Sequence, residues 1–188
     1  MVSINDDPIE LVPSKYDRWC DQFVAERNRI LSTLTTSGLE PAIQRIDHVG
    51  STAVPGLAAK DIVDLDIVVA DDVVSDVSQV LEATLGGDRV ENSECWHPVF
   101  RRQDGQRFND HVFGASSDKW KVSLVTRDVL CMHPDLRTEY EQLKRDLAAE
   151  HDDVAAYSEG KRTFMERVLG VARANRNIQY EFVLPAEL

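Results

Sequence analysis

Cysteine is scarce: Cys20, Cys95 and Cys131 are the only three in 188 residues, and they are far apart. An odd, scattered set of this kind excludes a disulfide framework, and the lack of a CxxC pair excludes a zinc ribbon. Long apolar runs are also missing. None exceeds four residues, as in Ile67–Val68–Val69–Ala70, well short of the roughly 18–20 that a membrane span needs. The opening stretch Met1–Asp7 has no basic segment and no apolar segment, so it does not read as a signal peptide. A reducing cytoplasm, with no membrane partner, is therefore expected. Positive charge is in deficit too. Lys and Arg number 21 against 33 Asp and Glu, leaving a net charge of −12. Such a surface repels nucleic-acid backbone, so no nucleic-acid partner is expected.

What is present is enough apolar residue, 43%, to build a core. The length suits one domain over 1–188, with a helical part at about 127–178. Trp19, Phe23, Val24, Ile30, Leu31 and Leu34 recur at helical spacing, which predicts an amphipathic helix from about 15 to 34, closed by Gly38 and Pro41. Gln44–Val49 and Ile62–Val69 read as strands, separated by a loop of small residues. Asp71 or Asp72 is expected to cap a helix carrying Val73, Val74, Val77, Val80, Leu81 and Leu85, which Gly86–Gly87 ends. Arg107–Phe113 reads as a strand. So does Lys119–Val125, with Trp120, Val122 and Leu124 on one face, and the two are expected to form an antiparallel pair. Leu136, Tyr140, Leu143 and Leu147 mark a helix; beyond His151–Asp153, Phe164, Met165, Val168 and Leu169 mark another. The expected class is α+β, a mixed sheet flanked by helices with the C-terminal helices packed on it.

The chemistry concentrates in Asp64–Leu65–Asp66. Alternate side chains of a strand share a face, so both carboxylates point the same way from an apolar strand. Two like charges there call for a cation between them, or else for solvent or a Lys or Arg partner at a strand end. Oxygen ligands without His or Cys point to Mg2+ or Mn2+. Upstream, Gly50 lets a backbone approach a ligand closely, the Ser51 hydroxyl and nearby N–H groups suit phosphate oxygens, and Lys60 supplies charge. A phosphate loop followed by paired carboxylates is what metal-assisted phosphoryl or nucleotidyl transfer requires.

Gly50–Ser51 followed by Asp64–Leu65–Asp66 resembles the signature of the polymerase-β-like nucleotidyltransferase superfamily. The string His48–Val49–Gly50–Ser51–Thr52–Ala53–Val54–Pro55–Gly56–Leu57–Ala58–Ala59–Lys60 is more specific and resembles the hallmark of the GrpB (UPF0157) family. Val12–Pro13, Trp19 and Phe23, then Arg127–Asp128, His133–Pro134, Tyr140 and Leu143–Lys144, and finally Tyr157, Lys161 and Phe164 extend the likeness over nearly the whole chain. It implies a nucleotidyltransferase-like fold. Asp61, where the family has Pro, and Cys131, where it has Arg, depart from the pattern.

The resemblance also implies a third acid on a neighbouring strand. Asp110 is the candidate, but it alternates with His111, and only one of the two faces the site. His111 fits the family pattern and is taken as the facing residue. The candidate catalytic set is Asp64, Asp66 and His111, with Asp64 and Asp66 as metal ligands. The candidate phosphate-binding set is Gly50, Ser51, Thr52, His48, Lys60, Arg127, Lys144 and Lys161. His48 alternatively buttresses the loop, and the basic residues alternatively serve as solvated surface. The ligands expected are a nucleoside triphosphate and a small-molecule acceptor. Glu94–Cys95–Trp96–His97 fits no metal template.

Overall fold

The first helix forms as α1 (Tyr16–Thr36) in the computed structural model, which describes residues 9–93, 95–175 and 179–186. Gly38, at φ 73°, lets the chain turn out of it. The chain then runs through β1 (Ile43–Val49), β2 (Ile62–Val69), α2 (Val74–Leu85), β3 (Asp88–Arg89), β4 (Trp96–Gln103) and β5 (Gln106–Gly114). Four helices follow: α3 (Lys119–Met132), α4 (Pro134–Glu150), α5 (Val154–Glu159) and α6 (Arg162–Ala174). The five strands form one sheet in the order β1-β2-β5-β4-β3. β2 and β5 are parallel and the other neighbours antiparallel, so the sheet is mixed.

Helices cover the two faces unequally. On the back face, Val63, Leu65, Ile67 and Val69 of β2 pack with Val99, Phe108 and Val112 beneath Trp19, Ile30 and Leu34 of α1 and Val77 and Leu81 of α2. Each buried Leu, Ile or Val there contributes about 1.5–3 kcal/mol relative to exposure. On the front face, Val49, Val68 and Phe113 pack against Trp120 and Leu124 of α3. A third cluster ties α3, α4 and α6 to Val54 and Leu57 of the loop after β1. The front face therefore keeps an opening between the α3 contact and this bundle. Among the described residues no helix is long and apolar enough to cross a membrane.

Two expectations are corrected. Lys119–Val125 is the first half of α3, not a strand. Positions i and i+4 coincide in the helical and the strand period, so Trp120 and Leu124 fit both; buried Val125 and Val129 complete a stripe only a helix provides. The antiparallel partner of β5 is instead β4, joined to it by Asp104–Gly105 with φ 50° and 81°. Two successive residues at positive φ are what a two-residue hairpin turn demands. The second correction concerns Asp71–Val73, which forms a 3-10 turn before α2 without a side-chain cap. Asp71 accepts instead from the Ser116 N–H at 3.0 Å.

Candidate functional site

Strand register assembles the site. Asp64 lies beside Asn109 and Asp66 beside His111 across the parallel β2–β5 pair. Neighbours in register share a face, so Asn109 and His111 join the two carboxylates on the open front. Asp110 points the other way. It accepts from Arg101 Nε at 2.7 Å on the back, where Arg101 also meets Glu26. A third carboxylate does stand near the pair, but it comes from β1: Asp47 is the partner of Asp66. Its oxygens take Arg45 at 2.5 and 3.1 Å, with Arg127 at 3.9 Å. Sequence reasoning missed Asp47, because the β1 alternation gives its face only once the antiparallel register is known.

Gly50 closes β1 at φ 71°. A Cβ there would lie 2.5 Å from Asp64 Oδ2, so glycine is required both by the backbone and by the carboxylate it faces. Ser51–Ala53 makes a 3-10 turn. α4 grips the loop beyond it: Glu141 accepts from the Ala58 N–H at 2.9 Å, while Lys144 donates to the Ala58 carbonyl and, at 3.1 Å, to the Ser51 hydroxyl.

In front of this loop lies a basin of about 280 Å³. Ser51, Thr52, Asp64, Asn109 and His111 line it, with Lys60, Lys144 and Lys161. Aromatic rings lie against the ammonium groups. Lys60 and Lys161 both lie over Tyr157, at 5.7 and 4.5 Å, and Lys144 lies 5.0 Å from Tyr140. Burial lowers the Lys144 pKa to about 7, and Lys161 adds to the effect. Burial, then Lys60, lowers Lys161 to about 8. Three cations gathered in a protein of net charge −12 make a local site for an anion.

The carboxylates are unequal. Burial pushes the Asp64 carboxyl up, but the His111 imidazole 3.8 Å away, Asn109 donating at 2.7 Å and Lys60 outweigh it and hold its pKa below the usual range. Asp66 is 1% exposed, and neither oxygen meets a donor in hydrogen-bond geometry. Burial raises its pKa to about 7 against the pull of the His111 imidazole and the Ser123 hydroxyl, and Asp64 and Asp47 add to the rise. Burial pushes His111 down, but Asp64 and Asp66 more than reverse that. Trp96 Nε1–H points at His111 Nδ1 from 3.3 Å, so the neutral ring carries its proton on Nε2, towards Asp64.

These residues fit a hard divalent cation through Asp64 and one of the unpartnered oxygens of Asp66. Asn109 presents its amide nitrogen to Asp64 at 2.7 Å, so it orients that carboxylate and supplies no oxygen there. No group of three or more His, Cys, Asp or Glu among the described residues is arranged to hold a metal ion. The fit therefore rests on two carboxylates.

Other expected residues lie apart from the basin's lysines. The His48 side chain is on the back face, stacked on Phe23 at 5.0 Å and bonded to Thr52 Oγ1 at 3.1 Å. Burial lowers its pKa to about 4, so it is a neutral buttress of the loop. Arg127 donates to the His48 carbonyl at 3.0 Å and to Asp128 at 2.8 Å. It lines a neighbouring hollow on the α3 side of Gly50–Ser51. Asp61 receives Lys15 and the Trp19 indole, each at 2.7 Å, and so ties α1 to the loop. Cys131 Sγ faces the Ala53 carbonyl at 3.9 Å. Trp96 is on the front face of β4 and His97 on the back, bonded to Ser78 at 3.3 Å; Glu94 falls outside the described residues.

Comparison with known proteins places this geometry. The family model described as GrpB protein matches residues 8–170. A UPF0157 protein of Streptomyces coelicolor is 34% identical over 158 residues, covering 82% of this chain and 80% of its own length. A UPF0157 protein of Bacillus subtilis, YqkA, is 30% identical over 148 residues, 77% of this chain, and the match spans 42% of YqkA. The crystal structure of the conserved protein GrpB from Enterococcus faecalis is similar with a TM-score of 0.69 at 24% identity. It covers 87% of this chain and 96% of that one, a likeness of fold.

Proposed function

The chain belongs to the GrpB family, and we propose that it is a nucleotidyltransferase-like enzyme that uses a nucleoside triphosphate and a small-molecule acceptor. The observation that carries this reading is the adjacency of the lysine basin to a carboxylate pair whose inner member, Asp66, lacks hydrogen-bond donors. The mixed sheet, with Gly50–Ser51 at the end of one strand and Asp64 and Asp66 on the next, suits the superfamily that the sequence resembles.

In this reading Lys144 and Ser51 hold one phosphate beside the loop, and Lys60 and Lys161 hold the next. Both ammonium groups lie against the Tyr157 ring. Asp64 and Asp66 would hold Mg2+ or Mn2+, with Asn109 Nδ2 orienting Asp64. Such an ion neutralises charge on the attacking and leaving oxygens. His111 keeps an Nε2 proton aimed at Asp64 and so orients that carboxylate. An acceptor hydroxyl oxygen bonds to the α-phosphorus, pyrophosphate leaves, and the hydroxyl proton passes to a carboxylate or solvent.

The test is thermal. A triphosphate with Mg2+ raises the melting temperature by binding the folded state, and Asp64→Asn together with Asp66→Asn removes the shift. No shift with ATP, GTP, CTP or UTP would sink the proposal. One observation favours a second reading, a non-catalytic nucleotide-binding module. An amide, Asn109, stands beside Asp64, while the acid next to it, Asp110, is turned away. A triphosphate shift without pyrophosphate release across a broad panel of acceptors would select it.

A further inference from the structure

The carboxylates also border a second hollow, on the side away from the lysines. It measures about 310 Å³ and shares Gly50, Asp64 and His111 with the basin. Its own lining includes Asp66, Trp96, Phe113, Lys119 and Ser123. We propose that this hollow is a binding compartment for a small, neutral, hydroxylated ring compound of sugar or cyclitol type. The proposal deepens the transferase reading and rests on it for the role of acceptor; the binding itself does not depend on it.

The floor of the hollow asks for hydrogen-bond donors. Asp66 lines this hollow and not the basin, and both its buried oxygens are unpartnered. A carboxylate offers about four lone-pair positions, so a cation on the Asp64 side leaves room for a ligand hydroxyl on the other. Ser123 adds a hydroxyl on the α3 side.

The wall asks for an apolar ring face. Trp96 stacks on Phe113 at 5.7 Å with 15° between the planes. Its indole N–H is engaged by His111, and the Lys119 ammonium sits 4.1 Å from its ring. Lys119 covers the indole face, so the apolar wall left for the C–H face of a saturated ring is the Phe113 ring and the adjoining indole edge.

Charge sorts the two compartments. The lysine basin suits an anion, whereas the second hollow sets Asp64 and Asp66 against Lys119 and His111 and so offers an anion no net attraction. A neutral polyol therefore belongs in the second hollow and the phosphates in the first, meeting at Asp64. The hollow lies at the small end of ligand pockets, which suits a single ring.

The experiment follows the Trp96 indole N–H resonance by NMR, identified by its loss in Trp96→Phe, during titration with myo-inositol and with glucose. Saturable movement with at least one of them is expected. Ser123→Leu, which fills the hollow, should abolish it. Asp66→Asn, which removes a buried unpaired charge and so keeps the fold, should weaken it by about tenfold. A Trp96 resonance unmoved by both compounds overturns the proposal, and so does movement that survives Ser123→Leu. The triphosphate melting shift is measured on the same wild-type sample. If the polyols bind and triphosphates do not, the compartment stands and the nucleotide reading falls. If triphosphates bind and the polyols do not, the compartment falls alone.

Discussion

One sheet carries buried carboxylates on both faces, and the two sets are treated differently. On the back, Asp110 and Glu26 are fully buried and both meet Arg101, itself 1% exposed. On the front, Asp66 is as deeply buried, yet neither of its oxygens meets a donor. Adjacent strand positions, 110 and 111, feed these two environments. A buried charge with its counter-ion is part of the scaffold, because each carboxylate has a partner in the folded chain. A buried carboxylate without a salt-bridge partner costs stability, and the rise of the Asp66 pKa to about 7 relieves part of that cost by protonation.

The largest expected effect breaks the back cluster. Arg101→Met should destabilise by about 3–5 kcal/mol, since it leaves Asp110 buried without its counter-ion and Glu26 with Arg29 alone. Urea denaturation measures this. Glu26→Leu, Arg101→Met and Asp110→Leu together should restore most of it, because an apolar set of similar volume replaces the whole cluster.

Asp66→Asn should do the opposite on the front, stabilising the free protein by about 1–3 kcal/mol while removing the triphosphate–Mg2+ melting shift. Loss of stability comparable to Arg101→Met would end the contrast between the faces.

The smallest effect concerns pH in the basin. Burial lowers Lys144 to about 7 and Lys161 to about 8 from an ordinary 10.5. The folded protein thus binds fewer protons there than the unfolded chain. The burial penalty is full below about 7 and is relieved as pH rises towards 10.5, so these lysines make the free protein more stable with rising pH across that window. A bound anion favours the charged lysines. Binding of inorganic triphosphate should therefore take up protons, and its affinity should fall as pH rises from 7 to 9, by at most about tenfold per pH unit for each proton taken up. Calorimetry in buffers of different ionisation enthalpy reads the proton uptake. An affinity independent of pH would mean that the lysines do not touch the anion.

Much of this was legible in the chain. The period of α1, the apolar run of β2 and the glycine after β1 are local features, set by side-chain spacing and backbone sterics. Lys119–Val125 was not, because short stretches satisfy both periods and the deciding residues, Val125 and Val129, lie at or beyond its end. The Asp104–Gly105 turn carried a legible hairpin signal that names the true partner of β5.

The site divides in the same way. The sequence by itself determined that Asp64 and Asp66 share a face, since alternation along one strand is a property of the backbone. It also determined that Gly50 and Ser51 begin the loop beside them, through a family string that reaches Lys60. Only the tertiary structure decided which neighbours join them. Register across β1, β2 and β5 brought Asp47, Asn109 and His111 forward and sent His48 and Asp110 back. The docking of α4 carried Lys144 to Ser51, 93 positions away in the chain. Such contacts depend on how separate elements pack, which no local spacing encodes.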